Sequence, residues 1–137
     1  VWASRYPDRG SVHLLEWHAL PDWRDEAFAA RYTQLRVLRE AVTEAIEPLR
    51  RDKVIRSSLE AAVTVPAAAV PEGFSDAALA ELFITASVAR GDSAEVTVTP
   101  TTDHKCGRCW RLLPEVPADG ALCGRCDTVV AEMELAS

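Results

Sequence analysis

All four cysteines of this chain lie in two copies of one tetrapeptide, Cys-Gly-Arg-Cys, at 106 to 109 and 123 to 126, with thirteen residues between them. A Cys-x-x-Cys pair puts two thiolates on one tight turn, and two such turns facing each other supply the four soft ligands of a closed tetrahedral site. The interval is slightly shorter than the usual zinc-ribbon spacing, yet the duplicated pair predicts a structural zinc held by Cys106, Cys109, Cys123 and Cys126. Such a site leaves no open position for a substrate water. Two other uses of the cysteines fit less well. Disulfides need an oxidising compartment, and nothing in the chain resembles a signal peptide. A dithiol redox centre needs one such pair at the end of a strand in a βαβ unit, whereas here the pair is doubled.

With 137 residues the chain can build one core and a small satellite unit, but not an elaborate enzyme. Its 48% hydrophobic and 26% charged residues are ordinary for a soluble folded domain. No run of about 18 apolar residues is present to span a membrane. The formal net charge of -6 becomes more negative once thiolates hold a divalent ion. That balance argues against nonspecific coating of nucleic acid and leaves only a local basic face for such contact. The chain begins with Val1 and not Met, which suggests a piece of a longer polypeptide.

Three segments precede the cysteines. Val1 to Trp23 is punctuated by Pro7, Gly10 and Pro21 and is expected to be an extended arm, with Trp2, Trp17 and Trp23 as packing anchors. From Asp25 to about Arg51, Phe28, Tyr32, Leu35, Leu38, Val42, Ile46 and Leu49 recur at spacings of three and four, the stripe of an amphipathic helix. Asp22 or Asp25 can cap its first turn, Arg50, Arg51 and Lys53 suit its carbonyl end, and Pro48 predicts a kink or an early stop. Arg24, Arg31, Arg36 and Arg39 are interleaved with Glu40, Glu44 and Glu47, the pattern of a solvated mixed face. The stripe needs a cover, either from the segment that follows or from helices outside this chain.

Between Ser57 and Pro100 the signals alternate: a strand over Leu59 to Val65, a helix over Ser75 to Leu82 opened by a Ser75 cap, and strands over Phe83 to Val88 and Glu95 to Thr99. Arg90-Gly91-Asp92-Ser93 predicts that the last two strands form a hairpin. This βαββ layer carries no serine, histidine and acid constellation, no phosphate loop and no paired carboxylates. Basic and aromatic residues gather instead around the cysteines: Lys105, Arg108, Trp110, Arg111 and Arg125. A tryptophan on a rigid turn beside arginines can stack on an unpaired base while a guanidinium takes a phosphate. Trp110 could equally pack under the zinc loop with Leu112 and Leu122, and the residues alone leave both uses open. His104 is not needed as a ligand beside four thiolates.

In order along the chain stand Ser11-Val12-His13-Leu14 with Trp17, a long arginine-bearing helix, Ser57-Ser58-Leu59-Glu60-Ala61, Phe83-Ile84 with Ser87, Lys105-Cys106-Gly107-Arg108-Cys109-Trp110, and Leu122-Cys123-Gly124-Arg125-Cys126. This series resembles the C-terminal region of bacterial isoleucyl-tRNA synthetase over nearly the whole chain. The lysine and tryptophan around the first cysteine pair, followed by the second pair, are its most specific part.

The resemblance implies a class I aminoacyl-tRNA synthetase of the cytoplasm that charges tRNA for isoleucine at the expense of ATP. The catalytic domain that takes ATP and isoleucine would lie upstream, since neither His-Ile-Gly-His nor Lys-Met-Ser-Lys-Ser occurs here, and this piece would carry no catalytic residues. The implied architecture is α+β. Residues 1 to 56 would end the helical anticodon-binding domain, 57 to 101 would form a small αβ layer against the tRNA stem, and 102 to 137 would be the four-cysteine zinc-knuckle module. The metal ligands fall on Cys106, Cys109, Cys123 and Cys126. Arg108 and Trp110 fall on anticodon-contacting positions, with Lys105 and Arg125 beside them. The partners would be the tRNA and the remainder of the synthetase chain. A structural zinc clip without RNA contact and a free-standing RNA-binding zinc protein are the alternatives.

Overall fold

The computed structural model describes residues 1 to 135. Its opening arm follows the turn signals: a four-residue helix α1 (Trp2–Arg5) and two 3-10 turns at Pro7–Arg9 and Val12–Leu14. Trp2 leans on Tyr6 at 4.5 Å between ring centroids and donates its indole N–H to the Gly10 carbonyl. The other two expected anchors do not pack. Trp17 is 95% and Trp23 74% exposed, because the interrupted backbone carries neither onto the core.

Helix α2 (Glu26–Arg51) begins where the Asp25 carboxylate accepts the Phe28 N–H at 2.8 Å. Pro48 does not end it early; the helix runs on to Arg51 and stops by a different device. The Lys53 N–H reaches the Arg50 carbonyl and the Val54 N–H reaches the Leu49 carbonyl, with Lys53 in the left-handed region at φ 60. These two bonds satisfy carbonyls that a helix end otherwise leaves unpaired. Leu35, Leu38, Val42 and Ile46 form the buried part of the predicted stripe, with Tyr32 and Leu49 partly buried and Phe28 left half exposed.

The cover is the αβ layer. Strand β1 (Ala61–Pro66) buries Ala61, Val63 and Val65 and shows its alternate residues less fully, the period of two expected of a strand. Helix α3 (Asp76–Phe83) starts where Ser75 Oγ accepts the Ala78 N–H. Strand β2 (Ser87–Gly91) then lies parallel to β1, and β3 (Thr97–Pro100) lies antiparallel on the opposite edge, giving the order β2-β1-β3. The hairpin expected between the last two strands is therefore absent. A central strand with buried side chains must have both edges hydrogen-bonded, and β1 takes one partner on each side. Phe83 belongs to the helix and not to a strand, and Ile84 turns the chain at φ 60. Thr85 is buried in this connection.

Leu35, Leu38, Val42 and Ile46 of α2 meet Val63, Val65, Leu79 and Phe83 in one cluster, each large side chain contributing about 1.5 to 3 kcal/mol. Glu60 clasps the layer at its base. Its carboxylate accepts the Arg56 N–H at 2.8 Å, while its main-chain carbonyl accepts the Thr101 N–H at 2.8 Å. The chain leaves Thr101 directly into a second unit: a short hairpin of β4 (His104–Lys105) and β5 (Leu112–Leu113), a loop, and helix α4 (Gly124–Leu135). No element is expected from sequence over α4, although Cys126, Val129, Val130 and Met133 stand at the spacing of a helical stripe. No helix among the described residues is long and apolar enough to cross a membrane.

Candidate metal centre

The unit from 102 onward has almost no hydrocarbon core. Its buried residues are Cys106, Cys123 and Cys126 with Val116, and Leu113, Ala121, Leu122 and the partly buried Cys109 pack around them. Burial of one valine cannot hold such a unit, so the sulfur atoms must supply the missing cohesion. All four Sγ atoms lie within 4.8 Å of one another, and Cys109 Sγ is 3.8 Å from Cys123 Sγ. Thiolates about 2.3 Å from a tetrahedral zinc ion stand about 3.8 Å apart, whereas a disulfide needs about 2.0 Å. The donors, their number and their spacing thus fit a closed four-thiolate site, with the cysteines free of disulfides.

Each pair of sulfurs is placed by a different local device. The first pair sits on the tip between β4 and β5, where the Cys106 N–H donates to the Arg111 carbonyl and the Trp110 N–H to the Cys106 carbonyl. The second pair opens α4, where the Asp127 N–H donates to the Cys123 carbonyl as the first helical bond. The loop before α4 is pressed against the first turn. Gly107 N–H donates to the Ala121 carbonyl, Gly120 N–H to the Lys105 carbonyl, and Lys105 N–H to the Asp119 carboxylate. A Cβ on Gly107 would collide with the Gly120 carbonyl oxygen, which is the physical reason for glycine at that position.

The cluster's electrostatics differ from sulfur to sulfur. The N–H groups of Cys109, Arg108 and Cys123 hold Cys106 down at about 6 from an ordinary 9, against the effect of burial. Cys123 moves the other way, to about 11: the Cys126 N–H pulls it down, but burial and the three neighbouring thiols outweigh that bond. Burial pushes Cys126 up, yet the Arg108 guanidinium and the thiols of Cys123 and Cys109 bring it below its ordinary value.

The four residues expected beside the metal split into two faces. Lys105 and Trp110 come together, with the ammonium 5.6 Å from the indole centroid. Trp110 is 64% exposed and held at φ 64, a left-handed conformation costly for a bulky residue. It does not pack under the loop with Leu112 and Leu122. Arg108 turns instead toward the second pair, 3.9 Å from Cys126 Sγ, beside Val130, Met133 and Glu134 of α4. Arg125 is exposed on the first turn of α4. His104 stands 3.6 Å from Asp119 and outside the sulfur cluster. Arg111, singled out only as part of the basic concentration, pairs with Glu81 of α3 at 3.0 Å and ties the knuckle to the αβ layer. A single arginine gives no signal in sequence of such a distant partner.

No family model matches the chain. Among curated proteins it is similar to isoleucine-tRNA ligase of Zymomonas mobilis, with 47% identity across 96% of this chain and 14% of that protein. The same enzyme of Gluconobacter oxydans is 38% identical across 96% of this chain and 15% of its own length. That of Mesorhizobium japonicum is 37% identical across 88% of this chain and 14% of its own length. The chain therefore spans about a seventh of the length of the relatives it matches.

Proposed function

From the chain's homology to one region of isoleucine-tRNA ligase, we propose that it is the tRNA-binding end of such a ligase. In the whole cytoplasmic enzyme, ATP and isoleucine would be handled by residues outside this chain, which contributes no catalytic group. Residues 1 to 56 would close the helical anticodon-binding domain, 57 to 101 would lie against the tRNA stem, and 102 to 137 would meet the anticodon loop. A structural zinc held by Cys106, Cys109, Cys123 and Cys126 would stabilise the last unit, worth on the order of 10 kcal/mol in small zinc modules.

The observation that carries the RNA contact is Trp110: exposed, held in a costly backbone conformation on the knuckle, with Lys105 beside its ring. An indole fixed in this way offers a face to a splayed base without first losing its own freedom, while Lys105 is at hand for a phosphate. Arg108 supports the knuckle from the sulfur side and, with Arg125, offers charge toward the same loop. Replacing Trp110 by Ala in the full-length ligase should weaken tRNA use by roughly 1 to 3 kcal/mol per lost stacked base and leave isoleucyl-adenylate formation unchanged. Equal losses in both steps would refute the assignment.

One observation favours a second reading, a structural clip without RNA contact. Arg111 and Glu81 fasten the knuckle to α3, as a clip would require. In that case neither Trp110→Ala nor Arg108→Ala would alter tRNA affinity at any salt concentration.

A further inference from the structure

The short segment after α2 holds a charge that the metal knuckle does not account for. Residues 50 to 56 carry Arg50, Arg51, Lys53 and Arg56 against the single carboxylate of Asp52, in a chain whose net charge is -6. Two of these cations have structural partners. Arg50 pairs with Glu47 at 2.8 Å and Arg51 lies 3.8 Å from Asp52, both at the carbonyl end of α2 where cations are favoured. Lys53 and Arg56 are exposed and have no carboxylate partner for their side chains among the described residues. Lys53, one residue past the Asp52 cap, still suits the carbonyl end of α2, whereas Arg56 lies beyond the reach of its dipole.

Lys53 is the more telling of the two. It occupies the left-handed position of the helix cap at φ 60, the place where glycine has the lowest cost. A lysine there keeps a strained backbone and returns nothing to the cap itself, whose bonds are made by main-chain groups. A non-glycine residue held in that region points to a use for its side chain.

Arg56 connects this end of α2 to the knuckle. One recess is lined by Arg50, Arg51, Lys53 and Arg56 with the single carboxylate of Glu47, and a second by Arg56, His104 and Lys105 with Glu60, Asp103 and Asp119; they share Ile55 and Arg56 as a common wall. The second reaches Lys105, whose ammonium lies by the Trp110 ring. We infer that Lys53, Arg56 and Lys105 form a track for the phosphates of an RNA strand, leading away from the base that Trp110 would stack. The inference rests on the proposed tRNA contact and extends it from one knuckle to the seam between the two units. Acidic groups border the track without closing it. Glu60, Asp103 and Asp119 all bring negative charge to the second recess, where Glu60 is held by the Arg56 main-chain N–H and Asp119 by the Lys105 main-chain N–H, so the excess of cations lies at the Lys53 end.

The test uses the full-length ligase and an unmodified transcript of tRNA for isoleucine, with affinity measured over a range of salt concentrations. Lys53→Gly together with Arg56→Gln should weaken binding roughly three- to tenfold at low salt. It should also flatten the slope of log affinity against log salt by about 1 to 2. The loss should be equal for a transcript with a changed anticodon, because phosphates carry no sequence. Lys53→Gly relieves the strained cap, so its melting temperature should hold or rise. A track that is only structural would give that result with no loss of binding. An unchanged slope in the double variant overturns the inference, as does a lowered melting temperature with an unchanged slope, which would mean that these cations face the ligase itself. Should Lys53→Gly fail to fold, Arg56→Gln alone is read for a slope change of about 1. Trp110→Ala keeps the two ideas apart: if it leaves tRNA use intact while the slope still flattens, the track stands and the base-stacking assignment falls.

Discussion

Among the described residues, three non-glycine residues take the left-handed backbone, Lys53, Ile84 and Trp110, all near φ 60. Ile84 is explained by the fold, since it ends α3 and turns the chain toward β2. Lys53 and Trp110 are the two whose side chains the proposed RNA contact would use. At the sulfur cluster, residue chemistry fixes a pH response. Metal uptake displaces whatever protons the thiols still carry, so affinity must fall as pH falls. Cys106, held at about 6, is already a thiolate near neutral pH, whereas Cys123, at about 11, still has its proton. The metal-free form also gains from the Cys106 thiolate; that gain is complete above the ordinary 9 and is lost as pH falls through about 6. Near neutral pH, therefore, zinc uptake by the reduced protein should release fewer than four protons per ion. Titration in buffers of different ionisation enthalpy measures the number, and a release of four would show that no thiol is ionised beforehand. The cysteine pairs were open to sequence reasoning because their chemistry and spacing are local, whereas the need for glycine at 107 comes from the Gly120 carbonyl across the knuckle. The orientation of Trp110 was not, since packing against Leu112 and Leu122 and exposure on the tip use the same residues.

At the scale of elements, periodicity found α2, α3 and β1 because each repeats an apolar pattern at its own period over enough residues. The Asp25 and Ser75 caps fell where expected. Strand partners were another matter. Arg90-Gly91-Asp92-Ser93 has the composition of a tight turn, but the three-stranded sheet is completed by β3 crossing to the far edge of β1, a nonlocal outcome. Pro48 misled in the same way: the loss of one donor in the last turn of α2 is outweighed by the packing of Ile46 and Leu49 and by the cap at Lys53. Helix α4 was masked because its stripe of Cys126, Val129, Val130 and Met133 starts inside the second cysteine pair, whose spacing reads as metal ligands and not as part of a helix. The stripe of α2 meets the sheet through Leu35, which is 1% exposed. Leu35→Ala should cost about 2 to 5 kcal/mol of stability in the αβ layer, read by denaturant unfolding, and leave metal content unchanged. A parallel loss of metal would show that the two units do not hold together independently.

For the molecule as a whole, two small cores of different kinds stand side by side. One is hydrocarbon, built from α2, α3 and the sheet; the other is a sulfur cluster with a single buried valine. The Arg111 to Glu81 pair joins them, and the cations Lys53, Arg56 and Lys105 of the proposed track lie along recesses that share Ile55 and Arg56. In an acidic chain these cations and those of the knuckle are what the proposed contact would offer an anion. The central claim is that a metal held by four thiolates organises a surface for tRNA. Its most direct test is to strip the metal from the full-length ligase with a chelator and measure tRNA affinity and isoleucyl-adenylate formation on the same sample. The account predicts that tRNA affinity is lost and returns with zinc, while adenylate formation persists throughout. Unchanged tRNA affinity in the stripped enzyme would contradict it.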